Sequence, residues 1–405
     1  MTTRNRQDSH RELPIGRRVA QLRVRRGMSQ QVFADRIGRS KSWVDKVERG
    51  VRTLDRLPMI ETVAAALGVA PAVLVGRQAQ RTPATDATAA VEQVRMALAN
   101  YDTPSGRDGP SSVADLDRQI GYACTAYRHA HHLQLLRMLP DLLAATRHAN
   151  RPAGDAPAAL LLVRVYRVAA QVLVKLGEPH LAWLAADRAM TTAAGDPRRT
   201  ALAAVPLAQA LRALGRGRLA MAAATTAVRP LDLAPHREPG PDDAALAGIL
   251  LTEAALAAAT CGDAAAVDDL TGRAAHLAAT YVEHHHDEDG FGPVVVDLAR
   301  ALIAARLGDN YQAVTLHQRA TGGDAWPQLP AEHRAAHLID VTRAHLDLGD
   351  YQAAGRALLT ADRIAPAEVR HRPAARAALT AVLRAGPTPA DVTRLATTIG
   401  LARHC

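Results

Sequence analysis

Apolar residues recur every three to four positions along most of the chain, the spacing that gathers them on one face of a helix. Ile15, Val19 and Leu22 form the first such face, and Gly27 ends it. Ser29 then offers its hydroxyl as the N-cap of a second helix, about Gln30 to Ile37, whose apolar positions are Phe33, Ala34 and Ile37. Gly38 breaks that helix. Ser40 caps a third, Lys41 to Arg49, with Val44 and Val47 inward and Gly50 as its stop. A fourth starts near Pro58 with Ile60, Val63, Ala64 and Leu67 aligned, and VAPAVLVG (69–76) reads as a very short fifth.

After Arg77 the pattern lapses. QAQRTPATDAT has the composition of a linker, VEQVRMALANYD is a lone helical segment with Val91, Val94 and Leu98 aligned, and DTPSGRDGPSS (102–112) is a second flexible link. Beyond it one device recurs: a helix ends in Gly, often followed by an acid, and another helix begins. KLGEPHLAWLAADRAM, ALGRGRLAMAAATTAV, TCGDAAAVDDLTGRAAHLA, RLGDNYQAVTLHQRA and DLGDYQAAGRALLTADRIAP carry it. Their turn glycines, Gly177, Gly215, Gly262, Gly308 and Gly349, are 38, 47, 46 and 41 residues apart. A helix on each side of a turn at such periods predicts a helical solenoid, and about six or seven hairpins would fill residues 112–405.

Composition supports helices. The chain is 48% hydrophobic but only 3% aromatic, and Ala, Leu and Val dominate. No stretch of 18 apolar residues free of charge occurs, so no membrane span is expected, and MTTRNRQDSHRELP lacks the apolar centre of a secretory signal. Cys124, Cys261 and Cys405 are odd in number and far apart, which points to free thiols in a reducing cytoplasm. Charge changes the picture more. Residues 1–81 hold 17 Lys and Arg against 7 Asp and Glu, while the remaining 324 hold 32 against 33. A basic module on a neutral body is the footprint of a head that binds a polyanion.

Two short helices about a Gly-containing tight turn make a helix-turn-helix unit. Gln30, Ala34, Gly38, Ser40, Val44, Val47, Glu48 and Gly50 fall at positions that resemble the lambda-repressor/Cro (XRE) family, in which ERG closes the third helix. LPMIETVAAALGVAPAVLVG is similar to that family's fourth and fifth helices, so the resemblance spans residues 13–76. It implies a recognition helix in the major groove, with Ser40, Lys41 and Ser42 facing base edges and Asp45 and Lys46 one turn on. Lys41 and Lys46 suit guanine O6/N7 or phosphate, and Ser42 suits several base edges. Trp43 either presses on the sugar-phosphate backbone or a thymine methyl, or packs against the next loop. Gln30 matches a family position that clamps a phosphate. Arg39, Arg49 and Arg52 are further phosphate contacts, with Arg49 also readable as a solvated helix end.

The (L)-G-(D/E)-x-x-x-A elements of the later hairpins resemble the tetratricopeptide repeat, although their spacing exceeds 34 residues and that family's Trp and Tyr positions are mostly absent. GFGPVVVDLARALIAARLGD, with the run from Glu332 to Leu379, resembles actinobacterial XRE regulators that carry a tetratricopeptide-like C-terminal region. The 46 Arg against 3 Lys fit a GC-rich genome.

Enzymatic chemistry finds little support. In EHHHDEDG (283–290), His284, His285, His286, Asp287 and Asp289 are metal-ligand types, but neighbours on a helix point different ways, so a solvated loop is expected. His129, His131 and His132 read as helical, with His129 and His132 facing a groove. No Gly-rich phosphate loop, nucleophile elbow or HExxH is present.

The expected fold is therefore all-α. A disordered basic tail (1–12) precedes a five-helix lambda-repressor-like DNA-binding domain (13–77), then a linker with one helix (78–111) and a tetratricopeptide-like helical-hairpin solenoid (112–405). The expected function is a cytoplasmic, sequence-specific transcriptional regulator that binds double-stranded DNA as a homodimer. A peptide, small-molecule or protein effector would sit on the solenoid. No catalytic residue, cofactor, metal or membrane contact is expected. The alternative is a protein–protein interaction scaffold whose head gives only non-specific DNA tethering.

Overall fold

The computed structural model describes residues 15–54, 57–69, 74, 83–100, 112–150, 156–193, 195–232, 240–281, 290–386 and 388–401. The regular structure among them is entirely helical. The chain divides into two compact units, residues 1–86 and 87–405.

The first unit contains α1 (Ile15–Arg25), α2 (Gln30–Arg36), α3 (Lys41–Glu48) and α4 (Leu57–Ala66). The periodic apolar positions become its core: Val19, Phe33, Ala34, Ile37, Val44, Val47, Leu54, Ile60, Val63, Ala64 and Leu67 are all buried. Of the predicted fifth helix, only Val69 and Leu74 lie within the described residues, and Leu74 is helical and fully buried in the same cluster. The predicted basic tail, 1–12, lies outside the described residues.

The boundary falls inside α5 (Pro83–Ala99), the helix read above as a lone segment in a linker, and the second unit begins with its residues from Ala87 on. The helix is not isolated. Val91, Val94 and Leu98 bury into one core with α6 (Val113–Arg128), α7 (His132–Ala149) and α8 (Ala156–Lys175). Arg147 closes its end, donating to the carbonyls of Ala97 (2.7 Å) and Asn100 (3.0 Å) and to the Tyr166 hydroxyl (2.8 Å). These bonds satisfy acceptors that a helix C-terminus leaves open. The three aligned apolar residues announced the helix; the core they join comes from distant segments.

Hairpins follow in order: α6 with α7, α8 with α9 (Pro179–Ala193), α10 (Pro197–Ala213) with α11 (Gly217–Asp232), and α12 (Pro241–Thr260) with α13 (Ala264–Tyr281). Then come α14 (Pro293–Arg306) with α15 (Asn310–Thr321), α16 (Ala331–Asp347) with α17 (Tyr351–Ile364), and the shorter α18 (Pro366–His371), α19 (Pro373–Arg384) and α20 (Ala390–Thr398). The predicted turn glycines all occupy the left-handed region, at φ of 71° to 91°. The acid after the glycine has its own task. Asp309 accepts from Gln312 N (3.0 Å) and Asp350 from Ala353 N (2.8 Å), so each caps the next helix. One two-residue step thus ends a helix and starts another.

First helices of successive hairpins also pack on one another, α6 on α8, α8 on α10, α10 on α12, α12 on α14 and α14 on α16, and so form a continuous layer. The layer curls until α16 meets α6. Ala supplies much of its buried surface: Ala254, Ala255, Ala257 and Ala258 of α12 are inaccessible. α8 and the stretch Asp242–Thr260 of α12 are long and apolar enough to cross a membrane, but 61% and 83% of their apolar windows are buried inside the unit. Neighbouring helices account for their apolar character.

The histidines near residue 130 are arranged otherwise than their spacing predicts. His129, His131 and His132 do not share a helix face. α6 ends at Arg128, and Ala130 takes φ 57°, the one non-Gly residue with positive φ among those described. The three histidines therefore bracket a tight turn, with His129 and His131 exposed and His132 buried. The turn carries no glycine, which is why it reads as helix. Residues 283–289, with His284, His285 and His286, lie outside the described residues.

Candidate nucleic-acid interface

Local chemistry sets the α2–turn–α3 geometry. Ser29 caps α2 by accepting from Val32 N (3.2 Å), and Ser40 caps α3 by accepting from Trp43 N (3.2 Å). Between them Gly38 adopts φ 64°, a conformation costly for a residue with a Cβ. Arg39 N then donates back to Ala34 O (2.9 Å), closing the turn. Phe33 and Ala34 of α2, with Ile37 that caps its end, meet Val44 and Val47 of α3 in one core. The opposite face of α3 is left to solvent.

That face carries Lys41, Ser42 and Lys46, with Asp45 half-buried beside them. Asp45 pairs with Arg49 (3.3 Å). Arg39 places its guanidinium 5.8 Å from the centre of the Trp43 ring, while Trp43 also packs on the core. Trp43 thus packs on the core of its own domain and holds a cation on its ring. Arg52 is exposed just beyond the helix. Ser40 is exposed, but its oxygen is engaged as the helix cap.

Gln30 is placed differently from the other candidates. Its Nε2 donates to Glu48 Oε2 (2.9 Å). Glu48 is buried and also accepts from Arg23, at 2.6 Å from Nε to Oε1 and 3.0 Å from Nη2 to Oε2. Arg23 adds a 2.6 Å bond to the carbonyl of Met28. The hydrogen bond to Glu48 raises the Arg23 pKa despite its burial. One carboxylate therefore ties α1, α2 and α3 together, and it stands at the E of the ERG that closes α3. The partner Arg23 was not evident in sequence, because nothing distinguishes it from the other arginines of α1.

The surroundings are cationic. Arg17, Arg25, Arg26, Arg36, Arg39, Lys46, Arg49 and Arg52 are exposed along with Lys41, while the exposed acids among the described residues of this unit are Asp35 and Glu61. A rigid helix offering short polar side chains and two lysines, within a field of that sign, has the physical properties needed to enter a DNA groove.

Residues 14–75 match the family model described as a helix-turn-helix domain. The two capped helices and the Gly38 turn are the motif itself, so the first unit is a helix-turn-helix domain of the DNA-binding kind. No curated protein matches the chain.

Proposed function

We propose that this chain is a sequence-specific, DNA-binding transcriptional regulator of XRE type. The observation that carries the reading is the polar outer face of α3, whose inner face is fixed by Val44, Val47 and the buried Glu48. Ser42, Lys41 and Lys46 would read base edges, and Arg39, Arg49 and Arg52 would hold phosphates. Gln30 would reach a phosphate only by leaving Glu48, so its first role is to brace α2 against α3.

One helix reads only a few base pairs, so the working form would be a homodimer on two half-sites about 10–10.5 bp apart, or a multiple of that. The hairpin array, tetratricopeptide-like in its Gly-acid turns, would supply the dimer contact and an effector surface, acting inside the cell beside the DNA. An effector would regulate by favouring one arrangement of the heads.

Selection of genomic fragments by full-length protein at near-physiological salt tests this. Recovery of a motif with two symmetric half-sites supports it. Binding that recovers no motif and vanishes as salt rises would reduce the head to a non-specific tether.

A further inference from the structure

The curl of the second unit brings residues 127–177 against residues 332–373, and this seam is chemically unlike the contacts between neighbouring hairpins. Those are built mainly from Ala, Leu and Val, with single pairs such as Arg212–Glu253 (2.8 Å) beside the apolar surface. The seam is built from ions. Its early side supplies Tyr127, His132 and Lys175, and its late side Glu332, Asp340, Glu368 and Arg372. Glu368 sits at the centre with no exposed surface. Its Oε1 lies 3.0 Å from His132 Nε2, and its Oε2 lies 3.2 Å from Arg372 Nη1 and 3.8 Å from Lys175 Nζ. Lys175 also pairs with Glu332, which faces the Tyr127 hydroxyl at 3.4 Å. Arg372 reaches Asp340 at 2.8 Å.

Burial by itself would push the Glu368 carboxyl up, but Lys175, His132 and Arg372 outweigh it and hold it down at about 2. The early side brings the cation Lys175 to a late side of three carboxylates and one guanidinium, so attraction acts across the seam. Apolar contact there is slight. The methyl of Ala130, at its left-handed φ, joins the late apolar cluster. The bare Cα of Gly177 lies so close to Pro373 that a Cβ would stand 2.6 Å from its Cγ.

We propose that this seam is a latch: the second unit has a closed state held by the Lys175, Glu332, Glu368 and Arg372 cluster, and an open state in which α6–α8 part from α16, α18 and α19 while the hairpins stay folded. Ions taken from water are stabilised only while their partners are in place, and removing one partner leaves the rest buried and uncompensated. Released into water together, they recover their hydration. Apolar hairpin interfaces have no such return on separation. The seam is therefore the interface that opens at least cost, a local opening distinct from global unfolding. The inference does not depend on the DNA-binding reading.

Hydrogen exchange of the full-length protein, read by mass spectrometry, tests it. The variants are Glu368→Gln, which keeps the shape, the charge reversals Lys175→Glu and Glu332→Lys, and the double swap of the last two. Peptides from 120–140 and 366–376 report the seam, and those from α10–α13 report distant hairpins. Each single variant is expected to speed seam exchange by about a hundredfold with distant hairpins unchanged, and the swap to return part of the protection, because it restores the 175–332 pair but sets a carboxylate near Glu368. Three results would overturn the latch: seam exchange unchanged in the single variants, distant hairpins accelerating equally, or no recovery in the swap.

Discussion

Gly16 sits near the start of α1 where that helix crosses α3, and replacing it with Ala sets two effects against each other. Helix propensity favours Ala by at most about 1 kcal/mol. Packing opposes it. A Cβ at Gly16 would stand 1.9 Å from the carbonyl oxygen of Val47 and 2.9 Å from its carbon. Relieving that clash requires α1 to back away by roughly 1.5 Å, toward ordinary van der Waals separation. The shift would draw Val19, which is 1% exposed, out of the core and lengthen the 2.6 and 3.0 Å bonds between Arg23 and Glu48. Overpacking costs about 1–3 kcal/mol, and breaking a buried ion pair costs about 3–5 kcal/mol when complete. With the bonds only stretched, a net destabilisation of about 2–4 kcal/mol is expected, comparable with the whole stability of so small a unit. Hydrogen exchange in full-length protein should show amides of α1–α3 exchanging about 30- to 1,000-fold faster, with the second unit unaffected. Equal or greater protection in Gly16→Ala would refute the close crossing and leave propensity in charge.

Other outcomes follow from the same residues. Lys41→Ala with Ser42→Ala should remove about 1–3 kcal/mol of discrimination at each base those side chains read while low-salt binding persists, as measured by competition with scrambled DNA. Arg52→Ala should weaken binding to all sequences alike and make the slope of log K against log salt shallower by about 0.9. Burial, with His345, lowers the His317 pKa to about 4. A histidine held neutral adds stability that is fully present above its unfolded value near 6.5 and is lost as pH falls from there toward 4. His317 alone should therefore cost the second unit about 2 kcal/mol between pH 7 and pH 5, within a larger loss to which the other buried histidines add, seen in denaturant titrations followed by Trp326, whose ring lies 5.9 Å from that of His337. His317→Gln should lessen that change, and an equal pH dependence in both proteins would exclude His317 as its source.

What could be read along the chain was local chemistry. Ser29, Gly38, Ser40 and Gly50 set the head's caps and turns through bonds no longer than one helical turn, so their spacing was legible. The same holds for Gly177 to Gly349, where a glycine and an acid act on adjacent helix ends. Pairings over long separations were not legible. Nothing in a linear pattern distinguishes Arg23 as the partner of Glu48, or places Lys175 beside Glu332. Gln30 shows the limit: its position at the start of α2 was correct, yet a buried carboxylate 18 residues away takes its amide. Ala130 shows another, since a left-handed turn without glycine leaves no mark in composition.

The central claim is that α3 reads sequence, and the ratio of two affinities tests it most directly. Full-length protein would be titrated at near-physiological salt against its selected motif and against a scrambled duplex of the same length and composition. The account predicts a preference of about a thousandfold or more that collapses in the Lys41→Ala, Ser42→Ala variant. A ratio near one, with both affinities falling together as salt rises, would contradict it.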